Sequence, residues 1–415
     1  MWYLRHRTFT ARQIPFARRD RSDALSSLVL LVALGISPTT SAQTLSSEIK
    51  IGNTMPYSGP ASAYGTIGRV QAAYFKMLND KGGIDNRKIN FLSFDDAYSP
   101  AKTVEQTRRL VESDGVLLMF SAFGTATVSA VQKYLADQKV PQLFFVTGAS
   151  KWEARRNFPG MVGWQPTYRA EAIVYAGYLL RTKPDAKIGV LYQNDDYGKD
   201  YLQGMRDGLG TKANDMIVKE LTYQVSDPTI DSQIVALKAS GADVFFDVTT
   251  AKFAAQAIRK IDEIGWKPLH FLNSISSSVA TVLTPVGLDK SVGIVSAAYI
   301  KDPTDPQFKD DQGVREYRGF MRDYYPEGDP ANIINANAYS RAMTLARVLK
   351  QCGHDLSREN IMRQADSLDV ELPMLLPGIR IQTSPERPFA ITQMQLQRFN
   401  GSTWERFGEL IRLQY

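Results

Sequence analysis

The sequence predicts an α/β protein of two lobes, each a parallel sheet flanked by helices. Two observations predict it. Short apolar runs rich in β-branched and aromatic residues alternate along the chain with segments of helical periodicity, the pattern of βαβ units. These runs also form two series, which fits two sheets better than one overlong sheet. The length of 415 residues allows two or three domains, each able to bury a core. With 44% apolar and 22% charged residues, the chain has globular composition, which sets aside disorder, collagen-like repeats and coiled coil.

The first 42 residues read as a secretory leader. Arg5, Arg7, Arg12, Arg18, Arg19 and Arg21 precede an apolar run over residues 24–37, and small residues follow up to Ala42, where cleavage is expected. That run is shorter than the roughly 20 residues needed to span a bilayer, so a membrane anchor is disfavoured. Six arginines against Asp20 and Asp23 place most of the net charge of +6 in this leader. The rest of the chain is nearly neutral and has no clustered basic footprint for nucleic acid. The leader predicts an exported protein.

Strands are expected at residues 48–52, 89–95, 116–120, 142–146, 187–192, 217–223, 244–248 and 294–299. The clearest helices are expected at 252–264, with Phe253, Ala257, Ile261 and Ile264 on one stripe, and at 336–350, with Tyr339, Met343, Ala346 and Leu349. Gly and Pro clusters at residues 81–86, 183–185, 301–306 and 324–330 mark the turns.

Little in the sequence points to catalysis. No dinucleotide fingerprint, phosphate loop, zinc-protease motif or nucleophile elbow occurs. Cys352 is the single cysteine, which excludes an internal disulfide and a cysteine-based zinc cluster, and His6, His270 and His354 are scattered. No metal, cofactor or catalytic residue is assigned. Cys352 and His354 stand two apart, a spacing that does not bring side chains together on a helix. Asp95-Asp96, at a strand end, reads as a capping or solvated pair more readily than as a metal site. A secreted α/β hydrolase stays open as an alternative, with His270 and His354 as its only candidates for a base.

The signals for binding are stronger. Residues 121–130, Ser-Ala-Phe-Gly-Thr-Ala-Thr-Val-Ser-Ala, follow a strand and open a helix, so a small hydroxyl-rich turn presents free amides and the positive end of a dipole. A second small polar turn, Thr147-Gly-Ala-Ser150, follows the next strand. Both lie at strand C-terminal ends, where open α/β sheets bind ligands. Taken singly, Thr125 reads as an ordinary N-cap; taken together, the turns read as a cradle for a carboxylate or phosphate.

Four strings in order, Ser58-Gly-Pro-Ala-Ser-Ala-Tyr-Gly65, Asn79-Asp-Lys-Gly-Gly-Ile-Asp-Asn86, Asp95-Asp-Ala-Tyr-Ser-Pro100 and Asn194-Asp-Asp-Tyr-Gly198, carry a resemblance. The chain resembles the branched-chain amino-acid (Leu/Ile/Val) type of periplasmic solute-binding protein of ABC importers over residues 49–399. Residues 147–152, Gly163-Trp-Gln-Pro166 and 227–233 are similar to a subgroup associated with aromatic and other non-amino-acid carboxylates. The resemblance implies a type I periplasmic binding protein fold with three crossovers and hinge closure over an interlobe ligand. It divides the chain into residues 43–168 plus 299–376 and residues 169–298 plus 377–415.

Carried over motif by motif, the resemblance puts Thr125 on the ligand carboxylate, with Thr147, Gly148 and Ala149 completing the cradle. Tyr64, Phe123 and Tyr197 line the cleft, and Thr250, Lys252 and Ser274 face it from the second lobe. Trp164, with Trp152 and Tyr168, hints at an aromatic ligand body. Amino-acid-binding relatives hold the ammonium with an acid after the strand at residues 270–272, where this chain reads Asn273-Ser-Ile-Ser-Ser-Ser278. An ammonium buried without a counter-charge costs on the order of several kcal/mol. The expected ligand is therefore a small carboxylate without an α-ammonium, handed to a membrane permease by a monomer. An amino-acid receptor and a sensory subunit remain alternatives within this class.

Overall fold

The computed structural model describes residues 48–413, which pack together as one unit. The expected leader and its cleavage site lie outside these residues. Strands β1 (Glu48–Met55), β2 (Lys88–Asp95), β3 (Leu118–Phe120), β4 (Gln142–Phe145) and β5 (Met161–Gly163) form a parallel sheet in the order β2-β1-β3-β4-β5. The second sheet takes β6 (Ile188–Gln193), β7 (Ile217–Tyr223), β8 (Val244–Val248), β9 (Leu269–Leu272) and β10 (Val295–Ala298) in parallel. A two-stranded ribbon, β11 (Asp369–Val370) with β12 (Ile381–Gln382), stands apart. The chain then returns to the second sheet as β13 (Gln393–Phe399) and β14 (Trp404–Arg412), giving the order β14-β13-β10-β9-β8-β6-β7.

The central strands are dominated by apolar residues because helices cover both faces, with Gln142 in β4 and Asp247 in β8 as buried exceptions. In β4 and β8 every residue is buried. The helix Thr66–Asp80 supplies Ile67, Val70, Tyr74, Phe75 and Leu78 to the core, at the spacing of one helical stripe. The rings of Tyr74 and Tyr339 meet edge to face at 5.4 Å, joining that helix to the helix Ile333–Cys352. The latter begins three residues before the periodic pattern does, because Asn332 caps it by accepting the Ile334 amide at 3.1 Å. The expected helix at 252–264 is observed as Ala251–Glu263.

Beyond the parallel strands, β13 and β14 add an antiparallel hairpin to the second sheet. Its turn is Asn400-Gly401-Ser402-Thr403: Gly401 has φ +101°, and the Asn400 side chain accepts the Ser402 and Thr403 amides at 2.9 Å. The chain passes between the sheets three times, after β5, after β10 and before β13. These passages lie side by side, with Gly163 bridged to Phe389 and the Ile391 amide donating to Trp164 O at 3.1 Å. Three adjacent connections form a hinge, and the strand C-terminal ends of both sheets meet above it.

Candidate functional site

A cavity at those strand ends encloses about 820 Å³ between its lining atoms, solvent at the mouth included. Tyr64, Tyr98, Tyr168, Tyr197 and Tyr299 wall it with Phe123, and Ile300, Ile333 and Ile334 add aliphatic surface. No Asp, Glu, Lys or Arg is among the residues lining it.

The first-sheet wall follows from local backbone geometry. After β3 the chain reaches Gly124, whose φ of +98° no L side chain adopts cheaply. Gly124 is the N-cap of the helix Thr125–Asp137, and no side chain caps that end. The amides of its first turn therefore keep their donor capacity, and the dipole places partial positive charge there. The Tyr98 ring lies directly over Gly124, so a Cβ at this position has no room. Tyr98 itself has φ +60°, held by its amide donating to Asp96 at 2.9 Å. Asp96 also accepts from Thr103 Oγ1 at 3.0 Å, and burial pushes its carboxyl up to about 6. This is the structural use of the Asp95-Asp96 pair.

Thr125 lines the cavity, and its hydroxyl meets that of Thr147 at 2.7 Å. Thr147 and Gly148 do not reach the cavity. They stand behind Thr125, with the Tyr168 ring against Gly148, and burial keeps the Tyr168 hydroxyl protonated. Ala149 donates its amide to Thr147 Oγ1 at 3.2 Å and also lies in this layer. The small turn after β4 thus orients Thr125 and Tyr168 instead of facing the cavity, a correction to the expected cradle. Its reason is that Tyr168 opens the next helix, Tyr168–Thr182, with its amide on Gly148 O at 2.8 Å.

Tyr64 spans the cleft. Its ring stacks on Phe123 at 4.6 Å, while its hydroxyl accepts the Ala251 amide at 3.0 Å and donates to Ile275 O at 3.3 Å. One phenol from the first sheet's side therefore occupies the start of the helix Ala251–Glu263 on the second. Thr250, also lining, gives its amide to Tyr223 Oη at 3.0 Å. Tyr197 is 2% exposed and lines the cavity, yet its hydroxyl has no hydrogen-bond partner. A buried orphan hydroxyl costs about 1–3 kcal/mol, so Tyr197 is the donor a ligand oxygen would satisfy. We expect Tyr197→Phe to weaken ligand binding roughly tenfold without lowering the ligand-free melting temperature. Parallel calorimetry and thermal unfolding check this.

Two expected residues lie elsewhere. Lys252 is exposed, with Nζ on Asp227 O at 3.0 Å and over the Phe253 ring, so it faces away from the cleft. As the second residue of its helix it follows the outward face, while the stripe through Phe253 and Ala257 turns inward. Trp164 is fully buried one layer behind the cavity, with Nε1 donating to Thr344 Oγ1 at 2.8 Å. Trp152 is buried too, bonded to Gln132 at 2.8 Å.

Ser274 does line the cavity, and it reveals an acid that the loop's own sequence hides. Glu171, from the helix Tyr168–Thr182, accepts the Ser274 amide at 2.7 Å and its hydroxyl at 2.6 Å, and the Tyr175 hydroxyl at 2.7 Å. It is 2% exposed, and burial raises its carboxyl above the ordinary range. The sequence also leaves Tyr98, Gln165, Tyr299, Asn337 and Gln397 unforeseen in the lining.

For the hydrolase alternative, His270 is buried with Nε2 at 3.1 Å from Asp247, and among the described residues no nucleophile bonds to it. His354 is exposed, and Cys352 is buried, its thiol pushed up to about 11 by desolvation. Among the described residues no helix is long and apolar enough to cross a membrane.

Two sheets joined by three crossovers thus enclose a tyrosine-walled cavity above the hinge. The family model described as periplasmic binding protein matches residues 48–403, and the chain belongs to that family. A Leu/Ile/Val-binding protein homolog of Brucella abortus (strain 2308) is 26% identical over 286 residues, covering 66% of this chain and 70% of the relative. A branched-chain amino acid ABC transporter protein of Thermus thermophilus, solved with bound valine, superposes with a TM-score of 0.80 at 14% identity, covering 88% of this chain and 96% of that one. The solute-binding protein of an ABC transporter from Rhodopseudomonas palustris BisB5, in complex with 3,4-dihydroxybenzoic acid, gives 0.74 at 17%, covering 88% and 98%. At these identities the structural likeness carries the fold.

Proposed function

We propose that this protein is the periplasmic receptor of an ABC importer and binds a small carboxylate with an aromatic or apolar body and no α-ammonium. One observation carries the reading: a cavity walled by five tyrosines and Phe123, free of charged side chains, opens onto an uncapped helix N-terminus. The carboxylate takes the amides at Thr125 and the hydroxyls of Thr125 and Tyr197, as anions do at helix N-termini. Aromatic walls hold the ligand body by burial and stacking. Binding joins the lobes around the hinge, with Tyr64 as the clasp, and the closed form is what the permease receives. The aromatic-acid complex among the structural neighbours is consistent with this ligand class.

The competing reading, an amino-acid receptor, rests on Glu171 and on the names of several relatives. Glu171 is absent from the cavity lining, where Ser274, which donates to it, stands instead. Three donors already hold its two oxygens, which aims them at Ser274 and Tyr175 instead of at a ligand.

A thermal-shift screen of small carboxylates tests the proposal, since a ligand bound only by the folded form raises the melting temperature. We expect aromatic or branched acids to raise it, and Thr125→Ala to cut the response severalfold with the ligand-free melting point little changed. A screen answered only by α-amino acids contradicts it.

A further inference from the structure

Arg341 is the group the cavity does not yet explain. It lies in the helix Ile333–Cys352, is 0% exposed, and makes no ion pair with any described carboxylate. Its guanidinium sits 4.9 Å above the Trp164 ring. One nitrogen, Nη2, donates to Gln165 Oε1 at 3.2 Å and to Asn337 Oδ1 at 3.1 Å. Nε and Nη1 have no hydrogen-bond partner. Burial draws its pKa down to about 10, so it stays charged at neutral pH. Its two amide partners, Gln165 and Asn337, both line the cavity, as does Tyr299, whose hydroxyl receives a hydrogen bond from the Asn337 amide at 2.8 Å.

A buried cation with spare donors and no counter-ion is costly, and proteins retain one where an anion arrives to complete it. The carboxylate assigned above rests on the turn at Thr125, whose donors are neutral. Gln165, Tyr299 and Asn337 instead belong to the hinge floor, beside the crossovers after β5 and β10. We propose that this floor, backed by Arg341, is a second anion subsite, so that the preferred ligand is a dicarboxylate with one acid at Thr125 and the other at Gln165 and Asn337. The inference rests on the carboxylate reading and narrows its substrate class. Gln165 and Asn337 act as bidentate relays: each offers the cavity an amide nitrogen while its oxygen accepts from the guanidinium.

The test is calorimetry on matched pairs, benzoate against benzene-1,4-dicarboxylate, phenylpropanoate against its 4-carboxy derivative, and hexanoate against hexanedioate, with wild type, Arg341→Met and Arg341→Gln. In wild type at least one dicarboxylate binds tenfold or more tighter than its monoacid. Both variants abolish that gain and leave the monoacid within about threefold. Arg341→Gln removes the charge but keeps a donor against Gln165 and Asn337, so it keeps a fold that Arg341→Met could disturb. If monoacids bind without any dicarboxylate gain, the second subsite is overturned and the carboxylate reading stands. If both variants weaken monoacid and diacid alike, Arg341 serves the single head group and the proposal is wrong. If neither acid of any pair binds, the parent reading fails with it.

Discussion

Replacing Tyr64 by phenylalanine is expected to raise the ligand's dissociation constant by roughly ten- to hundredfold while the protein stays folded. The substitution keeps the ring and its 4.6 Å stack on Phe123, and removes only the oxygen that accepts the Ala251 amide. That amide opens a helix and has no other acceptor, so its loss leaves a buried orphan donor worth about 1–3 kcal/mol. Every 1.4 kcal/mol is about tenfold in affinity. The penalty falls on the joined lobes alone, because Tyr64 reaches across the cleft; an opened cleft exposes the amide to water. Small-angle scattering should therefore show a more open ligand-free population, as a competent state made rarer requires. Unchanged affinity would mean that Tyr64 is ordinary packing.

Gly124→Ala should have the larger effect on binding. At φ +98° a Cβ is strained, and here it meets the Tyr98 ring and lies 2.9 Å from Thr127 Oγ1. Relief requires Tyr98 to move into the space above the amides of Thr125–Asp137, where the carboxylate sits. Overpacking costs about 1–3 kcal/mol of stability, but binding should fall by a hundredfold or more. Gly115→Ala is the matched control: its φ is +65°, with nothing within 4 Å of the added methyl. It should cost a comparable backbone strain and leave affinity intact. Equal effects of the two on binding would show that general destabilisation, not occlusion of the helix end, is responsible.

Much of the fold was legible because parallel strands covered on both faces leave short, mostly apolar runs, as in β4 and β8. Short strands were not: β5 has three residues, and its last, Gly163, bridges to Phe389, far away in sequence. The hairpin β13–β14 carried a local signal in Asn400-Gly401, yet its alternating pattern is blurred by the register shift between Met394 and Leu396. At the site, turns next to strand ends could be read, so Thr125, Tyr64 and Tyr197 were within reach. Side-chain direction was harder. Lys252 and Trp164 sit beside cavity residues in sequence but point to solvent and core. Glu171, Asn337 and Arg341 come from helices whose only local message is packing. Their role depends on which strand ends they face, which is tertiary information.

The measurement that bears most directly on the ligand claim is calorimetric titration of acids against amino acids of identical skeleton: 3-phenylpropanoate with phenylalanine, and 4-methylpentanoate with leucine. Each pair differs only by the α-ammonium. With no free acid at the cavity wall, at least one amine-free acid should bind, and its amino-acid twin should be weaker by a hundredfold or more. Tighter binding of phenylalanine or leucine than of its amine-free counterpart would contradict the account and identify Glu171 as the ammonium's partner.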